Sequence, residues 1–471
     1  MARIGFVGPS YTGRSTNINA QRTLNLIPEV DQADGKTVLS LFGRPGLVLF
    51  AYLGAPPIRT NGTKTVKGKM YAVMGDKFFE ILGNGVFTQK GTLLTSTGAV
   101  SMDDNGTQIM LIDGTYGYIY NVNTGVFAQI TDPDFPGADV VTFMDGYFIF
   151  NKINTGSFMI TSLYDGTAID ALDIKTAERD PDNLVNLVND HGELWLFGEY
   201  TTEVYYNSGN ADFPFDRKND VVIEEGLAAR WSLAKYDNSL IWLAQSKNGK
   251  GYVVRANGYA PQRISTPAIE YQISTYPTIG DAYALSFVYQ GHPLYLLTFP
   301  TGNATWAYDA STGLWHEWGS YGVGRFRAGS YAFFNGKHYV GDHLDGDIYE
   351  MKPEVYDDRG DPIERIRRTQ YIHQGANPLF IHRLTVDMET GVGIASGQGS
   401  DPQAMLRWSD DGGHTWSNEH WTGIGAMGKY QKQAIWNRLG HTRSGRVFEL
   451  KVSDPIKTVI LGADIELTEG R

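Results

Sequence analysis

MDGYFIFNK, residues 144–152, is the phrase that decides the fold. An Asp-Gly pair supplies the positive φ of a tight hairpin turn, and an unbroken run of aromatic and aliphatic residues follows before the next polar stop. The run has strand length, too short for a buried helix. Six further copies surround it: KGKMYAVMGD (67–76), NGTQIMLIDG (105–114), NDHGELWLFGE (189–199), YDNSLIWLAQ (236–245), QGHPLYLLTF (290–299) and FNGKHYVGD (334–342). Their spacing, about 38 to 54 residues, is that of a four-stranded propeller blade. One blade cannot bury both faces of its sheet, so the repeat predicts a ring in which each blade covers the next.

A second signal follows the first in several copies. LGNGVFTQKG (82–91), NVNTGVFAQI (121–130) and AYDASTGLWHEWGS (307–320) each place Asn or Asp and Gly in a turn ahead of an aromatic residue. The chain is therefore expected to be all-β, a β-propeller of six or seven blades. Seven copies of one strand leave the number open, because strands from distant parts of the chain can complete one blade between them. Helical periodicity is confined to short segments, 180–189 and 224–233.

The composition suits this reading. The 471 residues exceed one ordinary core, 55 glycines serve many turns, and 27 Tyr, 22 Phe and 10 Trp supply packing between sheets. No cysteine is present, which removes disulfides and thiolate metal sites. The opening MARIGFVGPSYTGRS lacks the basic-then-apolar order of a secretory signal, and the greasiest stretch, 46–58, is interrupted by Gly54, Pro56 and Pro57. The expectation is a chain without stable membrane insertion, made in a cytoplasm. A net charge of −12 argues against a protein that grips nucleic acid, though not against one that lets it slide past.

Three regions are expected. Residues 1–60 form an N-terminal arm with docking or closing strands; 61–358 form the propeller; 359–471 form an additional C-terminal β-sheet or sandwich. The arm has a local basic excess, with Arg3, Arg14, Arg22, Lys36, Arg44 and Arg59 against Glu29, Asp31 and Asp34.

The most specific short motif lies in the last region. Ser409-Asp410-Asp411-Gly412-Gly413-His414-Thr415-Trp416 matches the Asp box, Ser-x-Asp-x-Gly-x-x-Trp. In that hairpin Asp411 caps the turn, Gly413 takes positive φ and Trp416 folds back onto the strands, so the role of Ser409, Asp411, Gly413 and Trp416 is structural. Sialidases carry several such boxes; here there is one, outside the repeat. Phe42-Gly43-Arg44-Pro45 departs from that family's Phe/Tyr-Arg-Ile-Pro by a misplaced glycine. His338 and His343 with Asp342, Asp345 and Asp347 form the nearest approach to a metal cluster, read as a polar loop for want of a third neutral ligand. The acidic pairs Glu224-Glu225 and Asp180/Asp182 are read as solvated. No phosphate-binding loop, nucleophile elbow or zinc-protease helix is present. The expectation is no catalytic residue, no cofactor and no metal.

The arm and the repeats together resemble a known family. TLNLIPEV (23–30), LFGRPGLVLF (41–50) and the run of Tyr-Asp/Asn-x-x-Thr-Gly hairpins are similar to the packaged-DNA stabilisation, or tail nozzle, proteins of short-tailed bacteriophages. The resemblance implies a structural virion protein of the tail, assembled in the host cytoplasm and not an enzyme. It implies a homohexameric ring below the portal and the head-to-tail adaptor, a lumen that conducts double-stranded DNA without sequence recognition, and contacts with tail fibre or tailspike and tail needle proteins. The arm residues Arg14, Arg22, Asn25, Pro28 and Arg44 become candidate contacts with the adaptor. The Asp box is foreign to the family's core and leaves 359–471 as a fin or docking surface. A carbohydrate-binding or glycan-processing propeller, and a propeller scaffold for other proteins, are the alternatives.

Overall fold

The computed structural model describes residues 2–470 except Gln32, Asp34, Glu178, Arg179, Asp180, Ala376 and Ser444. Asp34 and Asp180, named above for their charge, therefore lie outside the described residues.

The seven phrases are seven second strands. In six of them the preceding turn holds two consecutive residues at positive φ: Lys67-Gly68, Asp145-Gly146, His191-Gly192, Asp237-Asn238, Gln290-Gly291 and Asn335-Gly336. That is the backbone of a two-residue turn whose twist matches the flanking strands. Each hairpin then grows to a four-stranded antiparallel sheet: 58–92, 101–129, 141–176, 184–217, 226–263 with one extra short strand, 283–318, and 328–352. The seventh sheet has only three strands of its own. Its fourth is Gly46–Tyr52, paired antiparallel with Asp347–Lys352. The ring thus has seven blades, closed by a strand from near the N-terminus.

The side chains explain why the phrases are continuously apolar instead of alternating. Each second strand lies between two other blades, so both its faces are buried. In Lys69–Met74, residues 70, 72 and 74 pack with Ala51, Tyr339 and Ile348 of blade seven. Residues 71 and 73 pack with Ile109, Leu111 and Tyr118 of blade two. The same period-2 division continues around the ring: Met110 and Ile112 meet Phe148 and Phe150, Ile149 meets Leu194 and Leu196, and Trp195 and Phe197 meet Leu240 and Trp242. Ile241 and Leu243 meet Tyr295 and Leu297, and Leu294 and Leu296 meet Val340.

The two segments with helical periodicity are not helices. Leu184–Asp190 is the first strand of blade four, and 224–233 holds the short strand Gly226–Leu227 and turns. Burial against neighbouring blades overrides local propensity there. The one helix among the described residues is Pro267–Ser274, joining blades five and six; Thr266 caps it through its side chain and Pro267 occupies the first turn.

The C-terminal region is a β-sandwich, and the N-terminal arm is laid into it. One sheet runs Leu26–Val30, Leu39–Gly43, Val459–Glu469, Leu379–Met388, Ala434–Asn437, with Ala2–Ile4 beside Val459–Glu469. The other runs Ala20–Leu24, Arg365–Arg368, Val447–Val452, Gln403–Ser409, His420–Gly423. Ala20–Leu24 also meets the outer strand of blade six, Leu314–Trp318, so blade and sandwich share one continuous ten-stranded sheet. Phe6, Leu26 and Leu41 from the arm sit in the sandwich core with Leu384, Leu406, Phe448 and Ile465. The structure therefore distributes the first sixty residues: 2–43 to the sandwich, 46–52 to blade seven, and the strand beginning at Ile58 to blade one.

Candidate functional site

Two places gather charged side chains inside this frame: the propeller–sandwich junction and the central channel. At the junction the guanidinium of Arg44 is fully buried and forms a two-pronged pair with Asp358, at 2.9 and 2.6 Å. Its Nε donates to Asn25 Oδ1 at 2.8 Å, and a terminal nitrogen donates to Gly319 O at 3.0 Å. Trp318 and Phe326 lie against the cation. Asn25 takes the left-handed conformation (φ 56), which Asn tolerates better than most residues, and its amide donates to Glu364 O. A charge so buried is stable only because it is paired and all its donors are used.

Further arginines extend this knot into the sandwich. Arg22 pairs with Glu317 at 2.9 Å. Among the described residues Arg367 has no carboxylate partner; it donates to the carbonyls of Phe6, Gly8 and Pro9 and to Thr23 and Gln21. Burial pushes its pKa down to about 9. Burial, then the nearby Arg44, lowers that of Arg365 to about 10. Arg368 and Arg407 both pair with Glu449, and both lie against the ring of Trp416.

The structure thus brings three of the five arm candidates, Arg22, Asn25 and Arg44, to one place, and turns four of the five inward. Asn25, Pro28 and Arg44 are buried and Arg22 is half-buried on Glu317; Arg14 alone is exposed. Sequence reports the charge of an arginine but not its burial, and Asp358 lies 314 residues from Arg44. The Asp box forms the hairpin its pattern describes. Ser409 Oγ donates to Asp411 Oδ1 and accepts from Gly413 N; Asp411 accepts from His414 N and Thr415 N at 2.9 Å; Trp416 Nε1 donates to Gly413 O. Gly412 and Gly413 have φ of 75 and 98.

The possible metal loop is dispersed. Asp342 pairs with Arg327, Asp347 with Arg359, and His338 packs among Phe287, Tyr331 and Phe333. No group of three or more metal-ligating side chains gathers among the described residues.

Around the channel, polar bonds link every neighbouring pair of blades. Lys64 reaches Asp103 (2.6 Å), Asp103 accepts from Phe143 N (2.7 Å), and Asn189 donates to Phe143 O (3.0 Å). His191 meets Asn238 (3.0 Å), Ser286 donates to Lys235 O (2.6 Å), Tyr283 to Ala328 O (2.8 Å) and Thr63 to Tyr331 O (2.9 Å). An antiparallel four-stranded blade begins and ends on one face, so all connectors share that face and the first hairpin turns share the other. On the hairpin face every blade presents an exposed apolar side chain: Leu82, Val126, Tyr164, Tyr206, Tyr259, Val288 and Phe333. No run of alternation or charge in the sequence announces this necklace.

Fold and site define a propeller-and-sandwich protein tied together by buried arginines. Two family models match it: residues 10–356 match "Bacteriophage P22 Gp10, beta-propeller" and residues 364–468 match "Bacteriophage P22 Gp10, beta-sandwich". The chain belongs to this family of podovirus packaged-DNA stabilisation, or tail nozzle, proteins, which are structural components of the phage tail. No curated protein matches the chain. Among solved structures it is similar to the extracellular domain of a hybrid two-component system of B. thetaiotaomicron (TM-score 0.46, 10% identity, 64% of this chain but only 39% of that one). It is also similar to the N-terminal domain of Nup159 (0.39, 9%, 70% and 98%) and to the Neurospora crassa Pan2 WD40 domain (0.43, 7%, 65% and 96%). Likenesses at this level carry no functional weight.

Proposed function

We propose that this protein forms a ring of the phage tail below the portal and adaptor, extends the DNA passage, helps retain the packaged genome and conducts it during ejection. The observation that carries the reading is the family match over both the propeller and the sandwich. The net charge of −12 fits a lumen that does not bind DNA tightly. A homohexamer with closed heterologous contacts is the expected assembly, with tail fibre or tailspike and needle proteins as further partners.

The DNA passage in this proposal runs between subunits and not through a propeller. Seven sheets packed about 10 Å apart put mid-blade about 11 Å from the axis, and strands about 4.8 Å apart then bring the innermost ones to about 4 Å. A duplex does not fit in such a channel. Of the five arm candidates, Arg14 is the one left exposed to meet an adaptor.

Light scattering and negative-stain imaging of the chain, alone and mixed with the adaptor ring, test the reading. A six-fold ring in either sample is expected. A monomer of about 52 kDa in both would overturn it.

A further inference from the structure

On the connector face the propeller's channel opens into a cavity of about 420 Å³. Its walls are mostly apolar, from Ile58, Trp231, Tyr283 and Pro300. Two arginines reach it, and they differ. Arg59 is held at all three of its nitrogens by the carbonyls of Gly75, Thr95, Thr97 and Gly98, which take up four of its five N–H groups, so it lends the cavity charge but no open fork. Arg325 is held only through Nε, which donates to His343 Nε2 at 3.1 Å.

His343 fixes that geometry. Its Nδ1 donates to Arg327 O at 2.8 Å, which makes Nε2 the acceptor that Arg325 requires. Burial, opposed by the hydrogen bond to Arg327 O and helped by the charges of Arg325 and Arg327, lowers its pKa. The two terminal nitrogens of Arg325 have no hydrogen-bond or ion-pair partner among the described residues. A guanidinium oriented from behind, with its fork open to an apolar cavity, is shaped for two-pronged recognition of a carboxylate.

From this the geometry points to a receptor for a carboxylate carried on an apolar body: the free C-terminus of a partner protein's extended peptide, ending in an apolar residue. The terminal carboxylate meets Arg325 and the adjoining side chain lies against Trp231, Tyr283 and Pro300, a form of chain-end capture. A phosphate fits less well. Asp281 lines the same cavity, its carboxylate accepting from Thr301 N, and it repels a dianion more strongly than the single charge of a carboxylate. The inference does not depend on the ring proposed above.

Calorimetric titration of the full chain tests it with three probes: N-acetyl-leucine, its C-terminal amide and inorganic phosphate. The acid is expected to bind at least about tenfold more tightly than the amide, a difference of about 1.4 kcal/mol, and phosphate more weakly than the acid. Arg325→Met and Arg325→Lys should both lose that preference, the second because a lysine keeps the charge without the fork. Melting curves matching the parent's show that each variant is folded. Equal binding of acid and amide, stronger binding of phosphate, no binding of any probe at 10 mM, or a preference that survives in folded Arg325→Met each overturns the assignment.

Discussion

Arg44 and Asp358 meet in a pair that solvent does not reach, 2.6 Å apart, at the point where blade six, blade seven and the sandwich converge. Removing one partner leaves the other charge buried alone, which typically costs about 3–5 kcal/mol. Asp358→Leu and Arg44→Met should each lower the melting temperature strongly. The double variant Arg44→Met/Asp358→Leu should be less damaging than the sum. Strict additivity in that cycle would mean the two side chains act independently.

His292 links blade six to the arm and gives stability a pH dependence. It bonds to buried Asp309 at 2.7 Å and faces Glu29 at 3.5 Å. The Asp309 hydrogen bond, opposed by desolvation and helped by Glu29, raises its pKa. A group bound more tightly to its proton when folded stabilises below its unfolded pKa, about 6.5, and loses that contribution as pH rises through the raised value. The stability gap between the parent and His292→Gln should therefore shrink from pH 6 toward alkaline pH. A gap that widens refutes this.

His316 acts with the opposite sign. It is fully buried, neither ring nitrogen has a hydrogen-bond partner among the described residues, and burial drives its pKa down to about 3. The folded state resists the proton, so this residue costs stability as pH falls below about 6.5. His316→Leu removes two unsatisfied polar atoms and should raise the melting temperature while flattening its decline between pH 6.5 and 4. Melting temperatures across that range would decide it.

Trp242 has no exposed surface and fills the seam between blades four and five. Trp242→Ala should destabilise by about 3–5 kcal/mol, read from denaturant midpoints. Asp411→Ala should instead act locally: amides of His414 and Thr415 lose their acceptor and should exchange faster, with the global midpoint little moved.

What the sequence made legible follows from what repetition can and cannot encode. The turn pairs and apolar runs announced the blades, because positive φ and burial on both faces each demand particular residues. Blade number stayed open because the closing strand, Gly46–Tyr52, carries no such turn and sits about 300 residues from its partner. The helix at Pro267 was missed although Thr266-Pro267 is a recognisable start, since its eight residues show little periodicity. For Arg22, Asn25 and Arg44 the residue types were informative and the direction was not. A basic segment on an acidic chain suits an outward surface; here its partners, Glu317 and Asp358, come from distant sequence and draw it inward. Arg325 escaped notice for a related reason, since one arginine in a Gly-rich loop has no pattern.

The strand Gly46–Tyr52 emerges from the ribosome early, and its partner Asp347–Lys352 emerges about 300 residues later. At about 5–20 residues per second that interval is on the order of 15–60 s. Throughout it the nascent chain holds growing blades with an open seam and an unmatched strand edge. Such an edge invites pairing with another chain. Crowded synthesis, with many copies on one message, therefore places its greatest hazard before closure, and a chain cut short anywhere ahead of residue 347 never gets past it.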